Sequence, residues 1–200
     1  MTIRLRLSAL RAAFTFMLGF GLADAARAVS LNIDFADNGT GGAPVQAGFT
    51  AFEPIDSMDQ SQVFATGFGG GSNVSVRLIG TSGLVESRLR GANTGTAGDL
   101  VRDFVFAFTS TDGITLEFDG LPAGTYGLTT FHHDQDNSVD APAILQVTDA
   151  VSTNDTRVTD LPTSTNNPTD FSKVTFVSVG LVSNGVDPVR VFMDPPGNPS

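Results

Sequence analysis

The residues best equipped for chemistry lie together in one short run, residues 132–140, His-His-Asp-Gln-Asp-Asn-Ser-Val-Asp. Asp134, Asp136 and Asp140 stand close in sequence, with Asn137 and Ser138 between them. Calcium takes six to eight hard oxygen ligands, and this run offers several. Three like charges at this spacing repel, so the folded loop needs either a cation or full solvation. The metal expectation is therefore Ca2+ on Asp134, Asp136 and Asp140, and the alternative is a solvated acidic turn. The run is not an EF-hand loop, since Val139 stands where that loop needs glycine and Leu145 where it needs glutamate.

His132 and His133 are the two histidines of the chain. Successive strand side chains point to opposite faces, so the pair is poorly placed to chelate one ion. One is expected to close the sheet interior and the other to meet a loop or a ligand. No nucleophile or oxyanion donor accompanies them, so a non-catalytic role is expected. Asp34 and Glu53 are strand-borne acids near Gly-rich sequence. A glycosidase pair cannot be assigned from them without a separation.

Sugar recognition uses aromatic faces flanked by polar groups. Tryptophan is absent, and the single tyrosine, Tyr126, falls in the apolar register of a strand, so it is expected in the core. Phe49 and Phe52, near a Gly-rich segment, and Phe68, in Phe-Gly-Gly-Gly-Ser, are the candidate platforms. The expected ligand-binding residues are His132, His133, Phe49 and Phe68. Binding must otherwise rely on Asp, Asn, Arg and backbone groups. The Phe68 loop lacks the Gly-Lys-Ser/Thr of a phosphate cradle.

The elements that position these residues are short. Leu31, Ile33 and Phe35 alternate with polar residues, as do Val74, Val76 and Leu78, Phe104, Phe106 and Phe108, and Ile114, Leu116 and Phe118. Period two marks half-buried strands. Further strands are expected near residues 46–53, 125–132, 143–148, 174–181 and 188–193. Asp-Gly pairs at residues 112–113 and 119–120, and Leu-Pro-Ala-Gly at 121–124, supply turns. Ser183-Asn184-Gly185 is read as a hairpin turn. Residues 37–45 and 152–170 are expected to be long polar loops, the second mobile. The fold class is all-β, an antiparallel β-sandwich, with an up-and-down barrel as the alternative.

Composition narrows the function. The chain has 200 residues, 16% charged, with a formal charge of −10. That charge argues against nucleic acid as a partner, because phosphate binding needs Lys and Arg. Cysteine is absent, which excludes disulfides, thiolate nucleophiles and zinc fingers. Arg4, Arg6 and Arg11 precede the uncharged apolar residues 12–23, and Ala26-Arg27-Ala28 is a small-x-small site. This is the pattern of a secretory signal peptide, expected at residues 1–28 with cleavage after Ala28. Twelve helical residues rise only about 18 Å, too short to span a bilayer. Cleavage would remove four basic residues and one acid, leaving 7 basic and 20 acidic residues and a charge of −13. Such a surface repels anionic polymers and membranes and attracts cations, so no membrane insertion is expected after cleavage. The domain is expected at residues 29–193, and the Pro-rich residues 194–200 read as a tail or linker.

Two segments carry a resemblance. Residues 114–134, ITLEFDGLPAGTYGLTTFHHD, are a strand, a Gly-Leu-Pro-Ala-Gly-Thr-Tyr turn and a second strand. Residues 31–54, LNIDFADNGTGGAPVQAGFTAFEP, precede them. Together they span 45 of the 172 residues after Ala28. They resemble the central hairpin and opening of galactose-binding-like and malectin-like jelly-roll domains of secreted bacterial surface proteins. The resemblance implies a jelly-roll sandwich whose loops bind carbohydrate and often hold a structural calcium. The function expected is a secreted or cell-surface, non-catalytic module binding a polysaccharide or another extracellular ligand. The rivals are a structural or adhesive surface protein and, more distantly, a polysaccharide hydrolase.

Overall fold

The protein is described by a computed structural model covering residues 2–7, 29–35, 45–53, 57–68, 71–81, 83–89, 103–107, 112–132, 144–161 and 174–194. These residues fold as an all-β sandwich. One sheet has six strands: β4 (Asp59–Ala65), β5 (Asn73–Gly80), β8 (Ile114–Asp119), β10 (Ile144–Thr148), β11 (Asp155–Val158) and β13 (Val189–Asp194). Their order is β11-β10-β13-β8-β5-β4, and every pairing is antiparallel. The other sheet holds β1 (Thr2–Leu7), β2 (Ser30–Phe35), β3 (Thr50–Phe52), β9 (Gly124–Phe131) and β12 (Phe176–Ser183), in the order β12-β9-β1-β2-β3. A hairpin of β6 (Val85–Leu89) and β7 (Asp103–Ala107) joins them through a bridge between Ser57 and Val85.

Alternation decides the layers. Val74, Val76 and Leu78 of β5, Leu116 and Phe118 of β8, Leu145 and Val147 of β10, and Val189 and Val191 of β13 all point inward. They meet Ile33 and Phe35 of β2 and Tyr126 and Leu128 of β9 from the other sheet. Aromatic rings cross the interior: Phe52 of β3 packs on Phe35 at 5.2 Å and on Phe64 of β4 at 6.2 Å, between ring centroids. Such pairs add to the area they bury.

Three expectations change. The sheet is not wholly antiparallel, because β2 and β3 pair in parallel. Ser183-Asn184-Gly185 is not a hairpin turn: β12 pairs with β9 in one sheet and β13 with β8 and β10 in the other. The turn is an arch between layers, with Gly185 at φ 80°. The Leu121–Gly124 turn is likewise an arch, since β8 and β9 lie in different sheets. The two arches rest on each other, because the Ser183 hydroxyl donates to the Leu121 carbonyl at 2.9 Å. Residues 152–170, read as a loop, contain β11, which adds an edge strand to β10. Residues 162–173 lie outside the described part.

β1 occupies the middle of the five-stranded sheet, antiparallel to β2 on one side and β9 on the other. Its six residues belong to the stretch the sequence assigns to a signal peptide. Among the described residues no helix is long and apolar enough to cross a membrane.

Candidate ligand-binding face

Of the residues singled out by sequence, His133, Asp134, Asp136 and Asp140 lie outside the described residues. Among those described, no three His, Asp or Glu side chains gather to hold a metal ion. His132 continues the inward register of Tyr126, Leu128 and Thr130 beyond the end of β9 and is buried. Its Nε2 lies 2.7 Å from the Thr130 hydroxyl, and its backbone N–H donates to the Thr175 carbonyl at 3.0 Å. Burial pushes its pKa down to about 3, so the ring is neutral at pH 7. It closes the sandwich interior and shows no face to a ligand.

Phe68 is likewise not the exposed platform expected of a Gly-flanked ring. It is fully buried and meets Tyr126 edge-on at 5.5 Å. Gly71, at φ 103°, donates its N–H to the Phe68 carbonyl at 3.1 Å. Tyr126 is buried as expected, and its hydroxyl donates to the Pro122 carbonyl at 2.7 Å, bracing the β8–β9 arch. Phe49 stays half-buried, beside a turn held by Asn32 Nδ2 donating to the Gly48 carbonyl at 3.0 Å. Asp34 is buried beneath that turn and accepts the Gln46 N–H at 2.7 Å.

The outer face of the six-stranded sheet is different in kind. Pairing registers fix two rows of outward residues across it. One runs Thr148, Arg190, Glu117, Arg77, Ser61. The other runs Gln146, Phe192, Thr115, Ile79, Asp59. The charges along the first row are neutralised in pairs. Arg190 Nε donates to Glu117 Oε2 at 2.7 Å, and Arg77 Nη1 donates to Glu117 Oε1 at 3.3 Å. Arg77 Nε also donates to Asp59 Oδ1 at 2.6 Å, a bond that holds the Asp59 carboxyl below its ordinary range. The Arg77–Asp59 pair is exposed and contributes little stability by itself, roughly 0–1 kcal/mol, whereas Glu117 is nearly buried between the two arginines. The effect of these pairs is to hold side chains upright on the face.

Where the two rows meet at β10 and β13 there is a shallow pocket of about 290 Å3, lined by Thr115, Gln146, Thr148, Asn154, Arg190 and Phe192. Phe192 is half-buried, and its ring lies across Gly113, where an added Cβ would sit 2.2 Å from Cε2. Only glycine leaves that seat open. Asn154 enters from the β10–β11 turn in the left-handed region, φ 49°. Its backbone N–H donates to Thr148 Oγ1, and Thr148 donates to Asn154 Oδ1, both at 3.0 Å. The amide is thereby oriented with its NH2 group left to donate.

Asp149 sets that turn. Its Oδ1 accepts the N–H groups of Val151 and Ser152 at 3.0 Å and the Ser152 hydroxyl at 2.8 Å. Its Oδ2 accepts the Val182 N–H from β12 of the opposite sheet at 2.9 Å. Burial opposes the charged form, but these four donors outweigh it and keep the pKa below the ordinary carboxylate range.

The pocket residues escaped sequence reading, although one signal for them was present. In Val189-Arg190-Val191-Phe192-Met193 the arginine and one aromatic share the register opposite to the valines. An aromatic on the outward side of a strand is the mark of a displayed ring.

Compared with known proteins, the chain matches no family model, no curated protein and no solved structure. What fold and face together define is a class: an all-β sandwich with one open, polar sheet face and a ring set into it.

Proposed function

We propose that this protein is a secreted or surface-displayed, non-catalytic β-sandwich module of galactose-binding-like, jelly-roll type that binds carbohydrate. The site we assign is the outer face of the six-stranded sheet. The observation that carries the reading is the pocket at β10 and β13, where the half-exposed Phe192 ring lies among an amide-rich, hydroxyl-rich lining. An apolar surface ringed by hydrogen-bonding groups suits a pyranose, which has an apolar face and a polar rim. The lining contains no Asp or Glu, which supports binding rather than acid–base hydrolysis. Calcium on Asp134, Asp136 and Asp140 remains part of the proposal on sequence grounds, and calorimetric titration into chelator-treated protein tests it. No heat and no rise in melting temperature at millimolar calcium would discard it.

The test of the main reading is a glycan array at neutral pH, followed by titration of the hits into the protein and its Phe192→Ala variant. Phe192→Ala is expected to weaken binding about tenfold or more, since stacked rings and hot-spot aromatics carry a large share of such affinity. Silence across plant, algal and bacterial glycans would favour the structural or adhesive alternative. Polysaccharide hydrolysis lost on changing one carboxylate would favour a hydrolase.

A further inference from the structure

The geometry points to a carboxylated sugar as the ligand of the face, a single uronate residue held end-on; this inference rests on the carbohydrate reading above. Arg190 decides it. Its guanidinium is spoken for at one edge only, where Nε donates to Glu117 Oε2 at 2.7 Å. The two terminal nitrogens have no further hydrogen-bond or ion-pair partner among the described residues, and Arg190 is one of the residues that line the pocket. A guanidinium in that state presents a planar pair of donors, which matches the two oxygens of a carboxylate. The pairing with Glu117 fixes the plane of the fork without occupying it.

The rest of the lining agrees. Asn154 has its oxygen taken by Thr148 and so faces the pocket as a donor. Gln146 and Thr115 flank Phe192 on either side through the strand registers. A sugar ring laid on Phe192 would meet them along its hydroxyls and Arg190 at its carboxylate. No acid lines the pocket, in a chain whose formal charge is −10. That background charge acts over the Debye length and disfavours a long polyanion, whereas the fork acts at contact. The small volume makes the same choice, leaving room for roughly one ring at the pocket rather than a buried chain.

The experiment compares galacturonic acid oligosaccharides of two or three residues with neutral galactose oligosaccharides of equal length, by calorimetry on the full chain. Expected is at least about tenfold tighter binding of the uronate, because a bidentate charge-assisted pair is worth more than neutral hydrogen bonds. Arg190→Leu should erase that preference, weakening the uronate far more than the neutral sugar, and Arg190→Lys should not restore it. Thermal melts of each variant confirm that it folds. Equal affinity for the two sugars, or a uronate preference untouched by Arg190→Leu in a folded variant, would overturn this inference and leave the carbohydrate reading standing. Binding of neither class would remove both.

Discussion

Two buried polar side chains do structural work that pH can read. His132 is neutral inside the sandwich, with its pKa pushed down to about 3 by burial from an ordinary 6.5. Below 6.5 the unfolded chain takes up a proton that the folded chain refuses. The stabilisation is therefore complete above that value and is lost as pH falls toward 3. Asp149 works in a lower window: its folded pKa lies under the ordinary 3.8, so its contribution is lost only as pH falls further. Melts between pH 7 and 4.5 should show the histidine alone, with the melting temperature falling as pH falls. His132→Gln, which retains a partner for the Thr130 hydroxyl, should flatten that slope. An unchanged slope would mean the ring is not neutral and buried. Asp149→Ala leaves four donors unmatched, three of them partly buried, and should cost about 1–3 kcal/mol in denaturant unfolding. It should also weaken ligand binding through the displaced Asn154.

At the scale of elements, the strands were legible and their partners were not. Period two located β2, β5, β8, β9, β10, β12 and β13 because each buries one face, and burial on alternate residues is written in the residue types; in β7 the strand is where the phenylalanines suggest, but the buried residue is Val105, between them, and Phe106 is only half-buried. It missed β4, where Gln60 and Gln62 take turns with Ser61 and Val63, β6, whose Val-Glu-Ser-Arg-Leu does not alternate, and β11, whose Asp-Thr-Arg-Val has no apolar face to betray it. Layer assignment failed for a different reason. Ser-Asn-Gly turns the chain equally well within a sheet or between sheets. Distant contacts, such as Ser183 with Leu121, decide which. The Gly-rich sequence at Phe68 suggests display, yet the ring is buried against Tyr126. The site suffered most, because its lining is made of outward residues from three strands and one turn that meet only after pairing.

Gly113 shows how one element serves that face. It supplies no group of its own, yet its missing Cβ is what seats the Phe192 ring. Gly113→Ala should therefore act twice. Overpacking should cost about 1–3 kcal/mol of stability, and the displaced ring should reduce ligand affinity. Phe192→Ala, by contrast, should reduce affinity with a smaller stability loss, since the ring is only half-buried. Paired melting and titration of the two variants check this, and equal stability losses would contradict it.

For the whole molecule, the central feature is the position of β1. It runs antiparallel to both neighbours, so β2 and β9 point the same way. Cleavage after Ala28 would delete an interior strand rather than trim an end. Among the described strands, the direct repair is a parallel ladder between β2 and β9, a pairing type the sheet already tolerates at β2 and β3. Deuterium exchange on the chain begun at Val29 should then protect the β2 and β9 amides that face β1 as well as the full-length chain does. Fast exchange at both would mean that the gap stays open. Were residues 1–28 removed, the hydrogen bonding of this sheet would have to be rewired, and the shortened chain would carry a different strand order over the same interior.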